Sequence, residues 1–249
     1  MMRRAMAETT TAAMRATIPG GDEALRDALL ARAGQLGLLG WVRYDADADD
    51  RAVRIHVEGP ADAVAALREV VAPHAEEVRA KVEGHEQLAV RGVPHGVFVV
   101  QEHAATAHHF DLRLEVGGAM RSWALPKGPT LDPSVKRMAI EVGDHQIAYN
   151  DFEGRTGSGR GVVIWDRGEY EQGGRVAWPE ALDRGHAVFV LHGEKLRGGF
   201  VLQRTRGRGE KAQWLLLKRR DDEAKPGSDI VAEEPRSVAS GRTLDELIG

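Results

Sequence analysis

Two hydrophobic periods divide the first ninety residues. At 51–58 (RAVRIHVE), Val53, Ile55 and Val57 alternate with Arg54 and His56, the pattern of a strand buried on one face. A second strand, 40–46 (GWVRYDA), precedes it, and the acidic stretch Asp47–Asp50 forms the turn between them. Residues 22–37 carry Leu25, Ala28, Leu29, Ala31, Ala33 and Leu36 at helical spacing, with Asp22 as N-cap and Gly37 as the stop. Gly59-Pro60 breaks the chain, and 61–73 forms a helix with Val64, Leu67 and Val71 on one face. Strands at 11–19 and 76–83 complete the order β-α-β-β-α-β, the split βαβ arrangement of ferredoxin-like folds.

From residue 96 the pattern changes to short apolar runs between Gly and Pro turns. Strands are predicted at 97–102, 108–116, 120–125, 137–142, 161–166, 169–172, 186–192, 198–205 and 212–219. Such spacing predicts a mostly β, barrel-like or sandwich domain after the α/β one, an α+β chain overall. The expected organisation is a flexible start at 1–10, a first domain at 11–88, a second at 96–220 and an acidic tail at 221–249. The tail is expected to pack little before SGRTLDELI, a short helix capped by Thr243 or Ser240.

Composition changes one part of this picture. The 249 residues carry 34 Lys and Arg against 38 Asp and Glu, net −4, a balance that by itself disfavours nucleic acid. The segments differ, however. Residues 1–90 are net −4 and 221–249 net −5, whereas 91–220 hold 20 basic and 15 acidic residues, net +5. The predicted β domain thus has the sign that a phosphate-bearing partner requires. The absence of cysteine excludes disulfides, thiolate metal sites and a Cys nucleophile, and fits a reducing compartment. No apolar run approaches the ~18 residues of a membrane helix. The first residues lack the apolar core of a secretory signal, so a cytoplasmic location is expected.

The densest chemistry lies in Gln101-Glu102-His103 and His108-His109-Phe110-Asp111-Leu112-Arg113-Leu114. Strand alternation puts Phe110, Leu112 and Leu114 on one face and His109, Asp111 and Arg113 on the other. His103 precedes this strand and folds back toward it. Two imidazoles and a carboxylate suit a divalent metal, and an adjacent guanidinium suits a phosphate oxygen. Spacing alone leaves two readings, a metal site and a solvated polar face. Zinc is compatible with these donors, although a structural zinc site would more often use Cys. Further along, Lys127 sits in Pro126-Lys127-Gly128-Pro129, Arg137 opens a strand, and His145 and Tyr149 follow it. On its own, Lys127 reads as an exposed loop cation in preference to a directed phosphate contact. His145 has the chemistry of a proton carrier near neutral pH.

The stretches FVVQEHAATAHHFDLRLE, RSWALPKGPTLDPSVKRMAIEVGDHQIAYNDFEG, VVIWDRGEYE, FVLHGEKLRGGFVLQRTRG and WLLLKRR make residues 96–220 resemble the 3′-phosphoesterase domain of bacterial ATP-dependent DNA ligase D. PRSVASGRTLDEL is similar to the segment that follows that domain in the ligase. The resemblance implies a barrel-like phosphoesterase using manganese or a related divalent ion, Zn2+ and Co2+ among them. Its substrates would be 3′ ends of DNA or primer-template strands, freed of a 3′-ribonucleotide or 3′-phosphate to leave a 3′-hydroxyl. It implies His103, His109 and Asp111 as metal ligands and Arg113, Lys127 and Arg137 as catalytic contacts to the scissile phosphate or its neighbours. It also implies His145 as phosphate ligand or proton carrier and Tyr149 as a substrate contact. The implied setting is end joining beside a separate ligase and polymerase, with no membrane. The chain departs from the family in two places. The N-terminal arm with its Arg-Asp pair and Glu has no equivalent, for His85, Glu86 and Arg91 do not reproduce it. The loop after Phe152-Glu153-Gly154 is shortened to RTGSGRG, with Arg155 and Arg160 among glycines. These departures motivate an alternative, a weak or inactive module that only binds nucleic-acid ends or recruits repair partners.

The first domain resembles acylphosphatase through LGLLGWVRYD and RIHVEGPADAVAALREVV. Arg26 falls where that family's phosphate-binding Arg would be. Asp22 and Glu23 occupy the anion loop, and Tyr44 stands at the position of the water-positioning Asn. Adjacent carboxylates repel an anionic substrate, so this domain is expected to be inactive and to serve as scaffold, partner surface or end-recognition module.

Overall fold

The computed structural model describes residues 10–46, 51–78 and 80–249. Residues 1–9 of the expected flexible start and the expected turn at Asp47–Asp50 lie outside the described residues. The chain divides into two compact units, Met1–Val93 with Arg175–Ala177, and Pro94–Gly174 with Trp178–Gly249.

The first unit runs β1 (Thr11–Pro19), α1 (Glu23–Gln35), β2 (Leu39–Asp45), β3 (Ala52–Pro60), α2 (Ala61–Val71), β4 (Glu76–Val78) and β5 (Leu88–Arg91). Its sheet has the order β4-β1-β3-β2-β5. The first four strands pair antiparallel, and β5 joins β2 in parallel at the edge. This is the ferredoxin-like split βαβ expected, extended by one strand. Met14, Ile18, Leu29, Val42, Ile55 and Leu67 fill the core between sheet and helices. Asp22 caps α1, its carboxylate accepting from the Leu25 N–H at 2.8 Å. Gly40 has φ +129, and a Cβ there would lie 2.1 Å from the His56 carbonyl, so β2 can pass β3 only with glycine at this point. The strand expected at 76–83 ends at Val78. The chain beyond it returns to β2 as β5, whose four residues are too short for period to reveal.

The second unit contains β6 (Gly96–Ala104), β7 (His109–Val116), β8 (Ala119–Leu125), β9 (Lys136–His145), β10 (Gly154–Gly157), β11 (Arg160–Gly173), α3 (Glu180–Arg184), β12 (His186–Gly193), β13 (Arg197–Arg206), β14 (Gln213–Lys218), α4 (Ile230–Glu233) and α5 (Leu244–Ile248). The order β11-β12-β13-β14-β9-β8-β7-β6 closes on itself through a β6–β11 pairing, giving an eight-stranded antiparallel barrel with β10 beside β11. Trp123, Trp214, Phe189 and Phe200 are fully buried, with Trp123 edge-on to Trp214 and Phe189 stacked on Phe200.

Two expectations are corrected here. Residues 161–166 and 169–172 are one strand, β11, not two. A bulge between Ile164 and Asp166 lets it pair with β6 from Gly161 to Tyr170 while Gly168 to Gly173 pair with β12. Asp166-Arg167-Gly168 has the composition of a turn, but Asp166 is fully buried and takes up the backbone N–H groups of Glu194, Lys195 and Leu196 at 3.0, 3.2 and 2.8 Å. The tail packs from its beginning. Lys225 donates to the Leu131 carbonyl, Gly227 to Asp132, and the Trp165 indole to the Glu234 carbonyl at 2.7 Å, while Ile230 is buried. Its acidic side chains face solvent while its backbone and few apolar side chains hold the barrel, a division that composition averages away. At its end, Thr243 and Glu246 form a capping box on α5, and Leu244 and Leu247 pack on Val163.

Candidate metal centre

The site is set by one hairpin and one bulge. β6 and β7 pair with His103 opposite His109, Gln101 opposite Asp111 and Val99 opposite Arg113. His103, His109, Asp111, Gln101 and Arg113 therefore share one face of the pair. His103 is brought back by direct cross-strand register. The alternation places Phe110, Leu112 and Leu114 on the opposite, apolar face, where all three are buried. His108 also points away from the site, onto the Phe110 ring and to Glu102 at 2.7 Å.

His103 Nε2 lies 3.5 Å from one Asp111 oxygen and His109 Nε2 3.6 Å from the other, and the two imidazole centroids are 5.1 Å apart. One ligand atom from each of the three residues falls within 4.8 Å of the others. His109 Nδ1 donates to the Ala107 carbonyl at 2.9 Å, which leaves its Nε2 lone pair free on the Asp111 side. His103 Nε2 is buried with no hydrogen-bond partner, an uncompensated polar atom that a bound cation would satisfy. The donor set thus fits a divalent metal. Burial, with the charges of His109, Arg113 and His145 behind it, pushes His103 down to about 4 against the pull of Asp111, so its ring is neutral at pH 7.

Arg113 organises the carboxylate. It is 1% exposed and donates from Nη2 to Asp111 at 2.8 Å, from Nε to Gln101 at 3.0 Å and from Nη1 to Ser122 at 2.9 Å. Expected as a phosphate contact, it has three of its donors committed to protein partners. Gln101 in turn donates to the Tyr149 and Phe152 carbonyls, both at 3.1 Å, and fixes the 3-10 turn Ile147–Asp151. Sequence reasoning missed Gln101 and Ser122. Gln101 stands two residues before His103 on the same strand face, and that spacing was the available signal.

His145 reaches this face through a bulge. Ser122 pairs with Val142 but Met120 pairs with His145, so the extra β9 residue turns His145 to the side of Ser122. His145 Nδ1 donates to the Gly143 carbonyl at 2.9 Å, leaving Nε2 as its proton acceptor. Burial, then the Arg113 charge, lowers its pKa. The Tyr149 ring lies 5.7 Å from that of His145 and 5.5 Å from the Arg113 guanidinium carbon. A groove of about 470 Å³ opens along Asp144, His145, Gln146, Ala148, Tyr149 and Phe152.

The structure thus joins six of the eight expected residues. Among the described residues, Lys127 and Arg137 stand outside this network. Lys127 is exposed on the turn after β8. Arg137, near the start of β9, is half-buried with its Nε buried and without a partner. The shortened loop is the β10–β11 hairpin, with Arg155 and Arg160 exposed. In the first unit, Asp22 is spent as the α1 cap, and the Arg26 guanidinium is paired with Asp27 at 2.8 Å.

The His103 shift carries a pH dependence. The ordinary imidazole value of 6.5 falls to about 4 in the fold, so proton uptake favours the unfolded chain. Stability from this group is complete above pH 6.5 and is lost as pH falls toward 4. In metal-free protein, urea unfolding across pH 4–7 is expected to show this loss. His103→Gln is expected to flatten the profile, and an unchanged slope would contradict the depressed value.

Residues 101–204 match the family described as DNA Ligase D 3′-phosphoesterase domain. The Multifunctional non-homologous end joining protein LigD of Pseudomonas aeruginosa is 45% identical over 159 residues, 59% of this chain and 18% of that protein. Its namesake in Mycolicibacterium smegmatis is 38% identical over 133 residues, 50% of this chain and 17% of that protein. The chain therefore spans less than a fifth of the length of these relatives. Among solved structures, similarity extends to acylphosphatases from Coxiella burnetii (TM-score 0.30, 18% identity, 35% of this chain and 100% of that one) and Bacillus subtilis (TM-score 0.27, 24% identity, 32% and 98%). The residues His103, His109, Asp111, Arg113 and His145 thus all lie in the segment that matches the DNA ligase D 3′-phosphoesterase domain family.

Proposed function

We propose that the second unit is a divalent-metal-dependent phosphoesterase that processes 3′ ends of DNA or primer-template strands in end joining. It would remove a 3′-ribonucleotide or a 3′-phosphate. The observation that carries this reading is the His103, His109 and Asp111 cluster, with an unpartnered buried imidazole nitrogen, inside the segment that matches the phosphoesterase family. Those three residues would hold the ion, manganese by family resemblance. When bound, it supplies Lewis-acid polarisation of a phosphate oxygen and a more acidic water.

The remaining residues divide the work. Arg113 holds Asp111 in place and lends positive charge. His145, neutral at pH 7 with Nδ1 tied to Gly143, accepts or returns a proton at Nε2. Lys127 and the unpartnered Nε of Arg137 are the cations available to a phosphate, where charge develops during transfer. Tyr149, stacked on Phe152 with ring centroids 5.4 Å apart, offers an aromatic surface and a hydroxyl to the terminal nucleotide. The +5 charge of residues 91–220 suits a polyanionic substrate.

The test is a labelled primer-template ending in a 3′-ribonucleotide or a 3′-phosphate, incubated with the full chain and manganese. A 3′-hydroxyl product that disappears with chelator is the expected result. Salt-sensitive binding without product would overturn hydrolysis and leave an end-binding module.

A further inference from the structure

The first unit contains a second cluster of metal-ligating side chains, sharing no residue with the first. His56 lies on β3, on the sheet face opposite Ile55 and Val57, and is fully buried. The described chain before β5, residues 80–87, brings Glu83 and His85 to that face. One ligand atom from each of His56, Glu83 and His85 lies within 4.8 Å of the others. His85 Nε2 is 3.3 Å from a Glu83 oxygen, and the two imidazole centroids are 5.4 Å apart.

Both ring nitrogens of His56 are buried with no hydrogen-bond partner, and so is His85 Nδ1. A neutral imidazole carries one donor and one acceptor, and leaving both dry forfeits the hydrogen bonds each makes with water in the unfolded chain. A core position that only needed filling would take an apolar residue at no such cost. The surroundings hold the ligands in place. Glu58, 3% exposed, accepts the backbone N–H of Glu83 at 2.6 Å and that of His85, which pins the loop to β3. Its carboxylate also stands 3.7 Å from His56 Nε2. Arg15 occupies one Glu83 oxygen at 2.7 Å and leaves the other on the His85 side. Glu58 and Glu83 thus place two negative charges around two imidazoles, with Arg15 paired to Glu83, Arg175 donating to the Glu83 carbonyl and the Arg91 charge acting on His85.

We propose that His56, Glu83 and His85 bind a divalent transition-metal ion of the zinc class, which clips the loop before β5 onto the sheet. Two imidazoles and a carboxylate are a borderline-soft donor set suited to zinc or cobalt, with a fourth position left for water or Glu58. Metal–ligand bonds of 2.0–2.1 Å in a tetrahedron put ligand atoms about 3.3 Å apart, the separation His85 and Glu83 already show. The role is structural. Binding to the folded unit alone raises its stability.

The experiment uses the full chain, free of any histidine tag and stripped with chelator, in a His103→Asn/His109→Asn background that disables the first cluster. Zinc(II) is titrated calorimetrically and cobalt(II) by its visible absorption. One equivalent of either ion and a raised first-unit melting temperature are expected. Adding Glu83→Gln or His85→Asn is expected to weaken binding by more than about 100-fold, beyond what loss of an outer-sphere partner costs. Circular dichroism checks folding. Should His85→Asn fail to fold, Glu83→Gln, whose side chain is part-exposed, decides alone. No uptake in the background protein, or uptake undiminished by Glu83→Gln, would overturn the proposal.

Discussion

Asp111→Asn is expected to abolish turnover of a 3′-modified primer-template, with a loss greater than about 100-fold in kcat. Asp111 touches both imidazoles of its cluster, at 3.5 and 3.6 Å, and receives Arg113 at 2.8 Å. Asparagine keeps the shape and one acceptor oxygen, but removes the charge that draws a cation between the two imidazoles. Asparagine also leaves the buried Arg113 guanidinium without its counter-charge, so the urea midpoint is expected to fall along with the rate. Metal uptake, read by calorimetry, should fall in parallel. Turnover within tenfold of the wild type would remove Asp111 from the site.

Arg113→Met is expected to be costly in a different way. Methionine matches much of the aliphatic stem but none of the donors. Asp111, Gln101 and Ser122 would each lose a partner in a site where all three are at most 5% exposed. Breaking a buried pair by removing one charge typically costs about 3–5 kcal/mol. A substantial drop in urea midpoint is therefore expected alongside loss of activity, larger than for Asp111→Asn, which keeps an acceptor for Arg113 and leaves Gln101 and Ser122 paired. A fully stable Arg113→Met protein would mean that Arg113 bears on substrate and not on the carboxylate.

How much of this could be read in the residues alone varies with the range of the interactions involved. The His109, Asp111 and Arg113 face follows from strand alternation and needs nothing else. His103 opposite His109 follows once the hairpin is granted. The Asp22 cap and the βαββαβ order were also visible, because caps and amphipathic faces are local. What stayed hidden is set by distant partners. His145 reaches the site through a register shift that only its pairing with β8 reveals. Asp166 reads as a turn residue until the N–H groups of Glu194 to Leu196 arrive to meet it. The tail's grip on Trp165 and Val163 depends on backbone carbonyls and a few apolar side chains within an acidic composition. The His56 cluster was invisible for the same reason: a half-buried strand leaves no sign of what folds over its polar face.

Closure of the barrel also has a temporal side. β9 finds one neighbour in β8, just before it, but the other is β14, with Ala139 set against Trp214. β6 likewise waits for β11. A chain emerging from the ribosome can form the β6–β7–β8–β9 meander early, yet both its outer strands remain unpaired until most of the domain has been made. Loop entropy must be spent before those pairings return anything, so folding should be slow, in the millisecond-to-second range of non-local β folds. During that interval the exposed strand edges are templates for association with other chains. The tail, synthesised after every barrel strand, locks over Trp165 only after the ring is complete.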